Sequence, residues 1–258
     1  MFPRNALSPS YYELYVNPET RVDLFKAIHT RNIVALRFSG EITVPTGKGA
    51  QRRDSGQENL MLMPALRHVV LHGVTGNYFD RRTIDETLPG AQLESFVYAH
   101  GHRLGFEIRN SHFESLAARH GATLRKLVLL GCSRISTMMI TQCLENMPVL
   151  EYFALHLVTV DDLRSNIVHA FPQSLDVLKL QVVNAWYAVP LMAEERGLCE
   201  AIENEVLNRD RRFDTVCVCF RKQLLAEDGR QDRWKQIAVE RQFRLHIGAW
   251  EHRMVEEI

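Results

Sequence analysis

Cys217 and Cys219 have the most evident capacity for covalent chemistry in this sequence, since a cysteine thiolate is a strong nucleophile. They occupy alternate positions of a strand-like segment that starts at Phe213. In the next such segment His246 falls beside Cys217, and an imidazole beside a thiol is a common way to activate it. The alternative is that both are small apolar residues of a sheet. No orienting acid or pair of oxyanion donors accompanies them, so we predict no catalytic site.

Histidines are the other residues that suggest chemistry, in this case metal binding. His68 and His72 lie on one predicted strand and are about 13 Å apart at a rise of about 3.3 Å per residue. His72 and His156 are three strands apart, about 14 Å. Ligand distances near 2 Å exclude a shared ion at either pair. The Gly47-Lys48-Gly49 stretch lacks the residue order of a phosphate-binding loop. We therefore predict neither a metal nor a cofactor.

Eight strand-like segments would position these residues. Apolar and polar residues alternate within them, whereas the strands of a parallel sheet covered on both faces read as continuous apolar runs. Alternation therefore favours a solenoid with one mixed, polar sheet face. The segments start at Ile33, Leu66, Leu93, Leu124, Leu150, Leu175, Phe213 and Gln242, at steps of 33, 27, 31, 26, 25, 38 and 29 residues.

Helical patterns occupy the sequence between these strands. Asp161 and Asp162 suit a helix start, because carboxylates are stabilised near a helix N-terminus. A capping helix around Thr20–Ile28 would cover the first strand, as the end of a solenoid requires. Only Glu251–Ile258 follows the last strand, so Leu245–Ile247 is expected to present an open edge. The other predicted helices are Asn110–His120, Asp161–Ala170, Pro190–Leu207 and Arg233–Gln242.

The segment from Leu124 to Leu150 closely resembles a leucine-rich repeat of the cysteine-containing subtype. Its matching residues are Leu124, Leu127, Leu129, Cys132, Ile135, Ile140, Cys143, Pro148 and Leu150. This subtype is best known from F-box proteins, the substrate receptors of SCF-type ubiquitin ligases. The resemblance implies an α/β fold, a right-handed leucine-rich-repeat solenoid (horseshoe) with a parallel concave sheet and convex helices. It also implies binding of a protein rather than catalysis.

The resemblance divides the chain into three parts. We expect residues 1–32 to form an N-terminal capping segment with one helix, residues 33–250 the solenoid of about eight irregular repeats, and residues 251–258 a short C-terminal tail. Residues 1–32 hold no Leu-Pro-x-Glu opening of an F-box, so that module is expected upstream or absent. Two interpretations stay open: substrate recognition of the F-box type without its F-box, and a stand-alone repeat scaffold or inhibitor unrelated to ubiquitination.

In this geometry the residues between the inward apolar ones face the concave side. The 24 such positions hold four Arg or Lys, four His and no Asp or Glu. Either strands disfavour acids in general, or the face suits an acidic or phosphorylated segment of a protein partner. Leu130 and Tyr152 would supply its apolar anchor. The predicted partner-binding residues are Arg37, His68, His72, Lys126, Leu130, Tyr152, His156, Lys179, Gln181, Arg244 and His246.

Two further features bear on partners and compartment. Trp186 and Tyr187, in the longest step between repeats, either plug the edge between neighbouring repeats or form the rim of a binding surface. The 31 Lys or Arg balance the 31 Asp or Glu, so overall charge does not predict binding of nucleic acid. The longest apolar stretch, Leu60–Leu66, is far short of a membrane span. Five cysteines without disulfide spacing favour a reduced, cytoplasmic or nuclear setting.

Overall fold

The computed structural model describes residues 11–16, 32–41, 63–80, 82–101, 105–164, 167–210 and 213–250. Within these ranges the chain forms one parallel sheet of nine strands, which lie side by side in sequence order. The strands are β1 (Tyr11–Val16), β2 (Ala35–Glu41), β3 (His68–Thr75), β4 (Ser95–Ala99), β5 (Lys126–Cys132), β6 (Tyr152–Thr159), β7 (Val177–Asn184), β8 (Thr215–Cys219) and β9 (Arg244–Ile247). The helices are α1 (Ile84–Thr87), α2 (Asn110–His120), α3 (Thr137–Leu144), α4 (Met192–Ala201, continued by a π-helical turn, Ile202–Leu207), α5 (Lys222–Ala226) and α6 (Arg230–Arg241).

Neighbouring strands pair the residues that the aligned repeats placed side by side. Leu129, for example, pairs with Tyr98 of β4 and Leu155 of β6. The predicted order of neighbouring parallel strands over 66–71, 93–98, 124–129, 150–155 and 175–180 is confirmed. Each strand from β2 onward begins two residues after its predicted start. The reason is that the leading apolar residue, such as Leu124 or Leu150, is buried in the core before strand pairing begins.

The N-terminal segment differs from the prediction of a single capping helix. Residues Tyr11–Val16 form strand β1, which pairs in parallel with β2 and extends the sheet by one strand. The sequence YYELYV has the aromatic and β-branched content of a strand, and it precedes β2 by a repeat-like step of 24 residues. The capping helix predicted around Thr20–Ile28 lies outside the described residues.

The helix predicted at Asp161–Ala170 is wrong, because the described residues of this range form bends, turns and a single 3₁₀ position. Asp162 does act at a helix N-terminus, but at that of the preceding repeat. Its carboxylate accepts hydrogen bonds from the backbone N–H (3.0 Å) and the hydroxyl (2.7 Å) of Thr137, the first residue of α3. The predicted helix Asn110–His120 is confirmed by α2, and those at Pro190–Leu207 and Arg233–Gln242 by α4 with its π-helical turn and by α6.

The helices share one continuous core with one face of the sheet. Along each strand from β2 to β9 every second residue enters this main core, as Leu127 and Leu129 do in β5. Phe113 and Leu116 of α2, Ile140 of α3 and Trp234 of α6 meet them from the helical side. The helices therefore lie on one side of the sheet, and the alternate strand residues form its second face.

Leu129→Ala tests this core. Leu129 is fully buried between paired apolar residues, so the substitution should leave a cavity and cost about 2–5 kcal/mol of unfolding free energy. Met138→Ala, on the exposed side of α3 where Met138 is 46% exposed, is the control and should cost about 0.5 kcal/mol or less. Urea denaturation measures both, and equal effects of the two substitutions would contradict the placement of Leu129.

A buried histidine links the helical layer to the sheet. His120, at the end of α2, is fully buried, and its Nδ1 accepts a hydrogen bond from the backbone N–H of Leu93 at 3.3 Å. Burial lowers the pKa of His120 to about 4. Burial also lowers the pKa of His112, whose Nε2 donates to the carbonyl of Phe79 at 3.1 Å. Both imidazoles are therefore neutral in the folded chain at neutral pH.

Stability should accordingly fall as the solution is acidified. In the unfolded chain a histidine is protonated below its ordinary pKa near 6.5. Folded His120 is protonated only below its lowered pKa of about 4, so the unfolded state binds more protons between these values. His120 alone should therefore remove about 2 kcal/mol of unfolding free energy between pH 7.5 and pH 5. Denaturant unfolding at both pH values checks this. His120→Gln should reduce the pH dependence, whereas Met138→Ala, which removes no titratable group from the exposed side of α3, should not.

Candidate partner-binding face

The second face of the sheet consists of three rows of residues that run across the strands. The register of β2 to β9 brings all eleven predicted partner-binding residues onto this face in the predicted neighbourhoods. The first row holds Ala35, His68, Ser95, Lys126, Tyr152, Val177, Thr215 and Arg244. The second row holds Arg37, Val70, Val97, Val128, Ala154, Lys179, Cys217 and His246. The third row holds Ser39, His72, Ala99, Leu130, His156, Gln181 and Cys219.

The centre of the second face is apolar and buried, which differs from the mixed, polar face that was expected. Val97, Val128 and Ala154 of the second row form an apolar cluster with neighbours on both sides, and Tyr152 packs against it. Leu130 belongs to the same cluster and is only 2% exposed. Leu130 therefore does not offer an accessible apolar anchor in this structure, and the contact surface for a partner is confined to the larger side chains around the cluster.

Two lysines lie beside two aromatic residues at this apolar centre, of which Trp250 belongs to the cluster and Tyr152 packs against it. The ammonium of Lys126 lies 5.4 Å from the centre of the Tyr152 ring, and that of Lys179 lies 5.5 Å from it. Lys179 is also 6.0 Å from the centre of the Trp250 ring. Both lysines are thus held at cation–π distance of Tyr152. We name Lys126, Tyr152, Lys179 and Trp250 the lysine–aromatic cluster.

The hydroxyl of Tyr152 stays protonated in this setting. Burial raises the pKa of Tyr152, and the hydrogen bond and positive charge of Lys179 offset this only in part. A neutral phenol beside two ammonium groups can donate a hydrogen bond to an anion. Trp250 was missed by sequence reasoning, although its signal was present. Trp250 lies two residues after Gly248, so it continues the alternation of β9 beyond the end of the strand.

Two arginines at the outer parts of the face are bonded to neighbouring side chains. The guanidinium of Arg37 donates to Nδ1 of His72 at 2.9 Å. Arg244 donates to the carboxylate of Asp214, which directly precedes β8. The acid-free part of the face is therefore narrower than the sequence suggested, because Asp214 lies outside the positions counted there.

The remaining predicted residues contribute polar groups. His68, His156 and Gln181 are half-buried. The side-chain oxygen of Gln181 is buried and accepts no hydrogen bond within the described part of the chain. His246 is exposed, and its Nε2 donates to the backbone carbonyl of Ala249 at 3.1 Å.

The thiol of Cys217 is not activated by its neighbour. Cys217 and His246 are register partners, as predicted, but no hydrogen bond between them is found in the described ranges, and His246 is bound to Ala249. Burial raises the pKa of Cys217, and the positive charges of Lys179 and Arg244 lower it only in part. Burial also raises the pKa of Cys219, and Glu195 adds to this. Both thiols are therefore protonated at neutral pH.

The loop after β7 presents two aromatic side chains to solvent. Trp186 is 90% exposed and Tyr187 is 63% exposed, with their rings in edge-to-face contact at 5.5 Å. The interpretation of this loop as a plug between neighbouring repeats is therefore wrong. The loop is tied down at its base, since Ala185 N–H donates to the carbonyl of Thr159 at 2.9 Å and the side chain of Asn184 donates to the carbonyl of Val189 at 3.2 Å.

An ion pair with a buried carboxylate supports the same loop. The carboxylate of Glu195 in α4 is buried and accepts from the backbone N–H and the Nε of Arg221, at 2.9 and 3.0 Å. The guanidinium of Arg221 also donates to the side-chain oxygen of Asn184. The loop that carries Trp186 is thus anchored through three elements that follow one another in the chain, and no local sequence pattern predicts this connection.

Comparison with protein-family models, with curated proteins and with solved structures finds no match for this chain. Among the described residues no three His, Cys, Asp or Glu side chains are grouped in a way that could hold a metal ion. The same residues include no helix that is long and apolar enough to cross a membrane. The assignment of a function therefore depends on the geometry of the second face.

The raised thiol pKa values predict slow alkylation. At pH 7.5 iodoacetamide should modify Cys217 and Cys219 more slowly than it modifies free cysteine, because only the thiolate reacts. Peptide mass spectrometry over time measures this, with the chain in denaturant as the control for full reactivity. Modification of either residue faster than free cysteine would indicate an activated nucleophile, and Cys217→Ser would then show which thiol is responsible.

Proposed function

We propose that the protein is a leucine-rich-repeat solenoid whose second face binds an acidic or phosphorylated segment of a protein partner. The observation that carries the proposal is the lysine–aromatic cluster, in which two ammonium groups lie about one tyrosine ring. In the proposal this face is the concave one. The right-handed connection follows from the strong preference of parallel strands joined by crossovers for that hand.

The sheet order supports the leucine-rich-repeat assignment. Nine parallel strands in sequence order, with a buried residue two positions before most of them, are what a stack of strand-and-helix repeats produces. The helices pack on one face of the sheet, and the second face carries charged side chains beside an apolar centre. Both features agree with this architecture. Solenoids of this type present extended surfaces for binding rather than enclosed pockets.

The lysine–aromatic cluster suits an anion attached to a peptide. A phosphoryl group carries a charge of about −1.5 to −2 and several acceptor oxygens, which Lys126 and Lys179 can neutralise from two sides. The Tyr152 hydroxyl is a further hydrogen-bond donor beside both ammonium groups. The adjoining apolar centre lowers exposure to water, which strengthens ion pairing relative to a fully solvated lysine.

The resemblance of residues 124–150 to the repeats of F-box proteins supports substrate recognition for a ubiquitin ligase as the biological setting. A stand-alone scaffold or inhibitor is the alternative. To distinguish the two interpretations, the full-length gene product is purified from its own cells and tested for a bound SCF adaptor protein. Stoichiometric adaptor supports the F-box interpretation, and its absence supports the alternative.

Binding to synthetic peptides tests the second face directly. On an array of matched phosphorylated, glutamate-rich, neutral and lysine-rich peptides, the chain should retain the first two classes, and affinity should fall as salt rises because charges are screened over about 8–10 Å. For a retained peptide, Lys126→Glu with Lys179→Glu should mainly slow association, while Tyr152→Ala should mainly speed dissociation. Surface plasmon resonance measures both rates.

The control is Lys222→Glu with Lys235→Glu, which makes the same change in net charge at exposed lysines of α5 and α6. This control should leave association within about threefold of the unmodified chain, since it acts only through overall charge. Equal effects of the two double substitutions, or retention of the neutral and lysine-rich peptides, would exclude the second face as a site for acidic segments.

A further inference from the structure

Strand β9 has a row of peptide groups that no described strand pairs with. In β9 the N–H of Arg244 donates to the carbonyl of Asp214 at 3.0 Å, and the N–H of Gly248 donates to that of Val218 at 2.9 Å. The parallel register with β8 directs the N–H and C=O of His246 toward β8 as well. Because successive residues alternate, the N–H and C=O groups of Leu245 and Ile247 point away from β8. On that side no strand pairs with β9 in the described part of the chain.

The side chains at this edge are also incompletely covered. Leu245 and Ile247 are only half-buried and pack against the end of the main core, as does Phe243 just before them. Helix α6 packs against β9 and carries Val239, which is 77% exposed. Hydrogen-bonding groups and apolar side chains thus coincide at one end of the molecule, and such edges are known sites of strand addition.

We propose that two copies of the chain associate by antiparallel pairing of β9 with β9 of the second copy, about a two-fold axis at His246. In this register Leu245 faces Ile247 of the second copy, and Ile247 faces Leu245 of the second copy. Each of these two pairs exchanges two backbone hydrogen bonds, so the outward N–H and C=O groups of Leu245 and Ile247 are satisfied on both strands.

The edge favours a copy of itself as its partner because it is self-complementary. The two Leu–Ile pairs lie on the core side of the sheet, where they join the main cores of the two copies. On the second face Arg244, already held by Asp214, falls opposite Gly248 of the second copy, which has no side chain to obstruct it. A two-fold contact uses the same patch twice and closes after two copies.

The register predicts one specific cross-link. His246 faces His246 of the second copy as a pair without backbone hydrogen bonds, with Cα atoms about 4.5 Å apart, a distance at which a disulfide forms. His246→Cys should therefore give a covalent dimer under mild oxidation. Arg244→Cys is the matched control at another exposed position of the same strand. Its two copies would be about 13 Å apart across the axis, so it should give none.

Sedimentation velocity of the chain between about 1 and 200 µM should show a reversible dimer, and His246→Glu should raise the dimer dissociation constant at least tenfold, because like charges would face each other. Peptide mapping of the oxidised protein should show a bond between the two introduced thiols and none to a native cysteine. A chain that stays monomeric without cross-linking, cross-linking through Arg244→Cys instead, or a dimer unaffected by His246→Glu would each overturn the proposal.

Discussion

The structure depends on the register of its parallel ladder. Each strand contributes alternate residues to opposite sides of the sheet, so a slip by one residue would move Leu127 and Leu129 out of the main core and bring Lys126 into it. The buried residue two positions before each strand from β2 to β8 fixes that register, since it must fill the core before pairing begins. The position of every side chain on the second face is therefore a consequence of packing on the other side.

The same constraint explains why the second face is partly closed. Val97, Val128 and Ala154 occupy the one row that lies midway between the strand ends, and they are as buried as the main core. A parallel sheet is most stable when both faces exclude water, so the strand centres are apolar on either side. Charged side chains lie beside this apolar centre, and the long side chains of Lys126 in the first row and Lys179 in the second row bring their ammonium groups to Tyr152.

The sequence predicted what depends on periodicity and not what depends on contacts between distant residues. The strand order, the register and the membership of the second face follow from recurring apolar residues, and all were correct for β2 to β9. Strand β1 was missed although its composition was typical of a strand. The role of Asp162 and the pairing of Arg244 with Asp214 join residues 25 and 30 positions apart. No local pattern distinguishes such carboxylates from solvated ones.

The C-terminal repeats depart most from regularity, and the departures are physically connected. The step from β7 to β8 is the longest between neighbouring strands with described connections, and it contains a π-helical turn that lengthens α4. Its loop projects Trp186 into water, an arrangement that costs stability unless the loop is held. Glu195 holds the loop through an ion pair with the partly exposed Arg221, and the burial of its carboxylate is itself unfavourable. A single repeat thus combines two features that lower stability, an exposed aromatic loop and a buried carboxylate.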